Sequence, residues 1–95
     1  MDDYQLDRNL RSIGKECFVA YFELFNSSQL TNQEIAELMG KERGYAWKAS
    51  QSRTGNARSI IRAGRAKDAL EIIRDSEGVR DQRIRDKAAR LADLL

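Results

Sequence analysis

The most informative local signal in the chain is the stretch Thr31-Asn32-Gln33-Glu34-Ile35-Ala36-Glu37-Leu38-Met39-Gly40. Thr31 followed three residues later by Glu34 is the pattern of a capping box, in which each side chain binds the backbone N–H of the other residue. Leu30 before the cap and Ile35 after it match the accompanying hydrophobic staple. The pattern predicts a helix over 32–39, which Gly40 ends in a left-handed conformation.

Upstream of this stretch, apolar residues recur every three or four positions and predict one long helix over 4–25. The main stripe consists of Leu6, Leu10, Ile13, Cys17, Tyr21 and Leu24. A second stripe is formed by Phe18, Phe22 and Phe25. Because residues 17–25 are apolar on most sides, we expect this helix to be the central core helix, a dimer interface, or both.

Downstream, a helix is expected from about Gly44 to Ser52 or Arg53, with Trp47 as a core anchor. Thr54-Gly55-Asn56 predicts a break or a kink, and a further helix follows over 56–63. The apolar stripes before and after Gly64 are out of phase, so a bend there separates it from a helix over 66–74. A turn over 75–78 precedes an amphipathic C-terminal helix over 79–95.

The composition favours helices. Proline is absent, Gly occurs six times, and 34% of the residues are charged. We therefore predict a single all-α domain, residues 1–95, with five to six helices. No apolar run is long enough for a membrane span, no signal-like segment is visible, and the lone Cys17 has no disulfide partner. These features are typical of a cytoplasmic protein, in which Cys17 serves as a small buried hydrophobe.

Side chains that would support catalysis or metal binding are few. Histidine is absent and cysteine occurs once, so the sequence offers neither a histidine base nor a His or Cys metal cluster. Lysines and arginines are interleaved with the carboxylates, for which ion pairing is the ordinary explanation. We predict no enzymatic activity, no cofactor, no metal and no small-molecule ligand.

The charge of the chain is unevenly distributed, although its net value is only +2. Residues 1–40 carry a net charge of −4, residues 41–65 carry +6, and residues 66–95 are balanced. A near-neutral total therefore conceals a basic block over 41–65, which favours an anionic partner such as nucleic acid.

Residues 32–52 resemble the helix-turn-helix superfamily. Ala36 would let the second helix approach closely, and Gly40 would supply a tight turn four residues later. The resemblance implies that the helix over 44–53 is a recognition helix lying in the major groove of DNA. The core positions of a recognition helix are usually branched aliphatic residues, and here they fall on Ala46 and Ala49. Either a longer turn therefore places Tyr45 or Trp47 in the core, or the unit is divergent.

We therefore predict a small DNA-binding regulator that acts on double-stranded DNA as a homodimer. Base or phosphate contacts are expected from ten residues in and around the basic block. They are Lys41, Arg43, Tyr45, Lys48, Gln51, Ser52, Arg53, Arg58, Arg62 and Arg65. Arg58, Arg62 and Arg65 recur as one stripe without acidic partners and would form a phosphate clamp.

With about six phosphate contacts, the affinity should fall roughly 10³-fold between 50 and 200 mM salt. The alternative is a non-enzymatic interaction module, such as a small phage-type or accessory protein, that docks a helical surface on a larger protein. Its charge-balanced last helix would suit pairing with another helix.

Overall fold

The computed structural model describes all 95 residues and contains seven helices and no strand, which confirms the all-α prediction. The helices are α1 Asp3–Ile13, α2 Lys15–Ala20, α3 Phe22–Phe25, α4 Asn32–Arg43, α5 Trp47–Arg62, α6 Ala66–Arg74 and α7 Gln82–Asp93. Helix α5 packs on both α1 and α4, while α6 and α7 form a hairpin that also contacts α2. None of these helices combines the length and the apolar character that a membrane crossing requires.

The prediction of one helix over 4–25 was wrong, because the chain breaks at Gly14 and again at Tyr21. Gly14 has φ +88°, a conformation that a residue with a Cβ rarely adopts. The break leaves the Ile13 carbonyl to accept a hydrogen bond from Arg53 Nη1. The three short helices can therefore wrap around the core, which a straight helix of this length could not do.

The phenylalanines of this segment form the centre of the core. Phe18, Phe22 and Phe25 are all buried, and the Phe18 ring centroid lies 5.6 Å from that of Phe22 and 6.3 Å from that of Phe25. Cys17 is buried beside them, as predicted. A single chain thus covers the apolar half of the predicted first helix, which confirms that this segment belongs to the core.

The capping box at the start of α4 is confirmed. The Glu34 backbone N–H donates to Thr31 Oγ1 over 3.1 Å, and the Thr31 N–H donates to Glu34 Oε1 over 3.0 Å. The predicted end of the helix at Gly40 was wrong, since α4 continues to Arg43. Gly44, at φ +71°, supplies the left-handed residue, and its N–H donates to the Gly40 carbonyl.

Helix α5 begins at Trp47, later than predicted, and runs without interruption to Arg62. The break predicted at 54–56 is absent. The Thr54 hydroxyl donates to the Ser50 carbonyl over 2.9 Å, and both residues are fully buried against the rest of the fold. Tertiary packing on α1 and α4 outweighs the weak helix propensity of Thr-Gly-Asn.

The prediction for Trp47 was also wrong, because the connector over 44–46 places Tyr45 against the core instead. Tyr45 is half-buried and packs against the core, whereas Trp47 is 44% exposed and is not the predicted core anchor. The connector therefore places Tyr45 rather than Trp47 against the core, but it does so through a three-residue turn that lies later in the chain, not through a longer turn.

The C-terminal third agrees closely with its prediction. Gly64 turns the chain at φ +73°, α6 covers Ala66–Arg74, and residues 75–78 form a turn. The last helix starts later than expected, at Gln82, because the Asp81 side chain caps it and Val79 is buried in the core. Lys87 Nζ lies 2.9 Å from Glu23 Oε1, so α7 is tied to the N-terminal helices.

Candidate nucleic-acid interface

Helix α5 presents one continuous exposed face, here called the α5 polar face. Its members recur at intervals of three or four residues and therefore share one side of the helix. They are Lys48, Gln51, Ser52, Gly55, Ser59 and Arg62. The helix contains no Asp or Glu, and neither Lys48 nor Arg62 takes part in any ion pair of the molecule. The face therefore combines free positive charge with uncharged hydrogen-bonding groups.

The N-terminus of α5 is open. No side chain caps it, and its first turn has no acidic residue. Lys48 lies in that turn, where its charge opposes the positive end of the helix dipole. This helix end therefore has unpaired backbone N–H groups and a lysine, and both favour the binding of an anion there. Trp47 lies beside them, half-exposed.

Arg8 of α1 joins this surface, although sequence reasoning missed it. Gln5, Arg8 and Asn9 line a shallow depression together with Ser59 of α5. Arg8 is exposed and forms no ion pair. It lies outside the basic block along the chain, and only the packing of α1 on α5 brings it to the α5 polar face. An exposed arginine on the polar side of α1 was the only available signal.

Arg58 is not part of this surface, because its guanidinium holds the loop between α3 and α4. Its Nη2 donates to the carbonyls of Ser27 and Leu30, each over 2.7 Å, and its Nε donates to that of Phe25 over 3.2 Å. Nη1 completes the set with a bond to Asn32 Oδ1 of 2.9 Å. This arginine satisfies backbone groups left over at the helix ends and has no free fork for a phosphate.

Arg65 is likewise committed within the fold, so the premise that the arginine stripe lacks acidic partners was wrong. Its guanidinium lies 2.6 Å from Asp3 Oδ1 and 2.6 Å from Asp68 Oδ2. The hydrogen bonds to Asp3 and then Asp68 raise the pKa of Arg65. Of the three arginines predicted to form a clamp, only Arg62 is free.

Three further predicted residues cluster away from the α5 polar face. The Arg53 guanidinium lies 4.2 Å from the centre of the Tyr45 ring, and Arg43 lies 5.3 Å from the centre of the Tyr21 ring. Arg43 Nε also donates to the Tyr21 hydroxyl over 3.2 Å, and that bond raises the pKa of Arg43. Along α5, Arg53 flanks the buried side, so it does not point with Lys48 and Gln51.

Lys41 lies on the outer face of α4. It lines a shallow groove together with Leu30, Glu34, Glu37 and Leu38. Two carboxylates beside it make its surroundings less positive than those of Lys48. The structure thus brings Lys48, Gln51, Ser52 and Arg62 together, and it separates them from the other predicted residues.

Comparisons of this chain with protein-family models, with curated proteins and with solved structures give no match.

Proposed function

We propose that this protein binds double-stranded DNA by laying the α5 polar face in the major groove, as the second helix of a helix-turn-helix unit formed by α4 and α5. The observation that carries the proposal is an exposed face of a 16-residue helix with two unpaired cations and no carboxylate. Surface helices usually carry both acidic and basic side chains. A helix that has basic but no acidic side chains along its whole length favours binding to a polyanion.

The dimensions of α5 support this arrangement. An α-helix with its side chains is about 10–12 Å wide, close to the roughly 12 Å width of the major groove. Ser52, Gly55 and Ser59 keep the middle of the face low, so that the backbone can approach the base edges. The connector over 44–46 has three residues, within the usual length for such units.

Roles within the interface follow from side-chain chemistry. Gln51 and Ser52, near the start of α5, can read base edges. An amide side chain pairs with adenine, and a hydroxyl can bind either a donor or an acceptor on a base. Lys48 can reach a guanine edge or a phosphate. Arg8 and Arg62 lie toward the other end of the face, where they would contact phosphates and set the orientation of the protein on the duplex.

The proposal is tested by titrating the full chain with a mixed-sequence duplex and following Trp47, the only tryptophan, by fluorescence. With Arg58 and Arg65 engaged in the fold and Lys41 on the outer face of α4, three cations are available on this surface, Arg8, Lys48 and Arg62. The affinity should then fall about 40-fold between 50 and 200 mM salt, less steeply than the sequence alone suggested. Absence of binding at 50 mM salt would refute the proposal.

A protein-interaction role is the second candidate, and the groove on α4 favours it. Leu38, 42% exposed, and the half-buried Leu30 form an apolar floor beside Glu34 and Glu37. The docking surface first expected, the last helix, is less suitable, because Ala88 and Ala92 pack into the core. Leu38→Ser should leave duplex binding unchanged under the DNA proposal and abolish partner capture under this one.

The homodimer stays a prediction. With the phenylalanines buried, the large apolar side chains still exposed are Met1, Tyr4, Leu38, Trp47, Ile72, Leu94 and Leu95, and Leu94 at the end of the chain is the most exposed at 82%. Two copies would place two α5 helices on half-sites about one helical turn apart.

A further inference from the structure

A second cationic feature of the molecule is a cavity of about 440 Å³, on the side of the connector away from the α5 polar face. It is open to solvent, and three parts of the chain line it: the break between α1 and α2, the α4–α5 connector with its flanking arginines, and the loop at Gly78 and Val79. Its volume lies in the range of small-molecule sites.

The floor of the cavity is built around the guanidinium of Arg53. This group stacks on Tyr45, with 4.2 Å to the ring centre, and donates one hydrogen bond to the Ile13 carbonyl. Gly14 makes room for it, since a Cβ at that position would lie 3.3 Å from Arg53 Nη1. An arginine has five N–H donors, and the fold uses one of those of Arg53. Apart from the nearby Cys17 thiol, the remaining N–H groups of Arg53 have no partner in the protein.

Two more cations line the same cavity. Lys15 Nζ donates to Ser76 Oγ over 2.8 Å and has no carboxylate partner, and Arg43 uses only Nε, on Tyr21. Glu16 is the one acidic residue of the lining, so the positive charge exceeds the negative by two. Burial raises the pKa of the Cys17 thiol despite Arg53 and Arg43 nearby, so that the thiol stays neutral and does not offset this excess.

We propose that this cavity binds a small phosphorylated solute, with its phosphate held by Arg53, Lys15 and Arg43 and its organic part against Tyr45 and Val79. A planar guanidinium matches phosphate oxygens in a bidentate manner, and two further cations suit a doubly charged group. A phosphate ion alone would not fill the cavity. The remaining space has a partly apolar lining, which suits the organic part of such a solute.

Binding there would connect the two helices of the proposed DNA-binding unit. Arg43 is the last residue of α4, Tyr45 lies in the connector, and Arg53 is in the second turn of α5. A ligand that contacts all three would hold the angle between α4 and α5. The site itself does not depend on DNA binding and can be tested without DNA.

The test titrates the ¹⁵N-labelled full chain with inorganic pyrophosphate, against KCl at matched ionic strength, while amide shifts are recorded. We expect saturable shifts confined to Gly14, Tyr45, Gly78 and their neighbours. Lys15→Gln should raise the Kd about three- to fivefold, the size of one partly exposed charge contact. Lys67→Gln, which removes an exposed, unpaired lysine on α6, should leave the Kd unchanged.

A second arm distinguishes a free phosphorylated solute from a phosphate of the DNA backbone. Under the proposal, a duplex shifts the amides of Lys48 and Gln51, and pyrophosphate still shifts those of the cavity in its presence. Pyrophosphate shifts no larger than those in KCl would overturn the proposal, as would equal losses in both lysine variants. It would also be overturned if the duplex, and not pyrophosphate, shifted the cavity amides. Failure of DNA binding alone leaves the pyrophosphate result unaffected.

Discussion

Gly40 of α4 lies directly against Ser50 of α5, where a Cβ on the glycine would sit 3.2 Å from Ser50 Oγ. The same Cβ would lie 3.4 Å from the Tyr45 carbonyl oxygen. Gly40 therefore serves the close approach of the two helices rather than the end of α4. This contact fixes how far α5 can project from the rest of the fold.

The Ser50 hydroxyl is fully buried and has no hydrogen-bond partner. Ser50→Ala removes an unsatisfied polar group without opening a large cavity, so we expect the free energy of unfolding to rise by about 1 kcal/mol. Urea unfolding followed by circular dichroism measures the change, with the exposed Ser52→Ala as the matched control. A loss of stability on Ser50→Ala would show that this hydroxyl has a partner after all.

Arg58→Ala should act on folding rather than on DNA contacts. It leaves the carbonyls of Phe25, Ser27 and Leu30 without their donor, and we expect a loss of about 2 kcal/mol in the free energy of unfolding. Arg62→Ala, one turn along on the exposed face, should change stability by less than about 0.5 kcal/mol. If thermal unfolding shows equal stability for the two variants, the structural role of Arg58 is wrong.

Gly14→Ala should destabilise the protein by about 1–3 kcal/mol, because φ +88° is unfavourable for any residue with a Cβ. It also crowds Arg53, which stacks on the Tyr45 ring, so the tyrosine signal in the near-UV circular dichroism spectrum should change. The same substitution in an Arg53→Ala background is the control, because it keeps the backbone effect and removes the crowding of Arg53. A smaller loss of stability there reports the Arg53 contact, and equal losses in the two backgrounds would exclude it.

The capping box makes stability depend on pH. Hydrogen bonds from Thr31 hold the pKa of Glu34 below its ordinary value of 4.5. The contribution of Glu34 is therefore complete above about pH 4.5 and is lost as the pH falls through the lower folded-state pKa. Glu34→Gln keeps a side chain able to complete the box but removes the titration.

The acid limb of a stability–pH curve should accordingly be shallower in Glu34→Gln than in the unchanged protein. Some slope should remain, because Arg83 lowers the pKa of Asp81 and Arg74 lowers that of Asp75. Glu37→Gln, on the same helix outside the box, is the control. Parallel acid limbs for the unchanged protein and Glu34→Gln would contradict the linkage.

Sequence reasoning succeeded where a local pattern and its structure lie within a few residues of each other. The Thr31–Glu34 box, the turn at Gly64 and helix α6 are of this kind. It failed at Gly14, because the apolar spacing of Leu10, Ile13 and Cys17 continues across the break. Two glycines four residues apart, Gly40 and Gly44, could each have ended α4, and only the packing of α5 decides between them.

The candidate interface was predicted in part for a similar reason. Counting charge along the chain located the basic block, but it could not show that Asp3 reaches Arg65 from 62 residues away. Nor could it show that Arg58 turns toward the α3–α4 loop. Arg8 was missed because its neighbour, Ser59, is distant in sequence. Long-range partners decide which cations are free, and no local pattern records them.

The central claim is that the α5 polar face contacts DNA, and comparing Arg62→Ala with Arg90→Ala tests it most directly. Arg90 is likewise an exposed, unpaired arginine, and it lies on α7, a helix that packs on α6 and α2. Duplex affinity should be measured by fluorescence anisotropy between 50 and 200 mM salt. We predict that Arg62→Ala weakens binding to every duplex sequence and lowers the slope of log K against log salt by about 0.9, whereas Arg90→Ala changes neither. Equal effects of the two substitutions, or no binding by the unchanged protein at 50 mM salt, would contradict the claim.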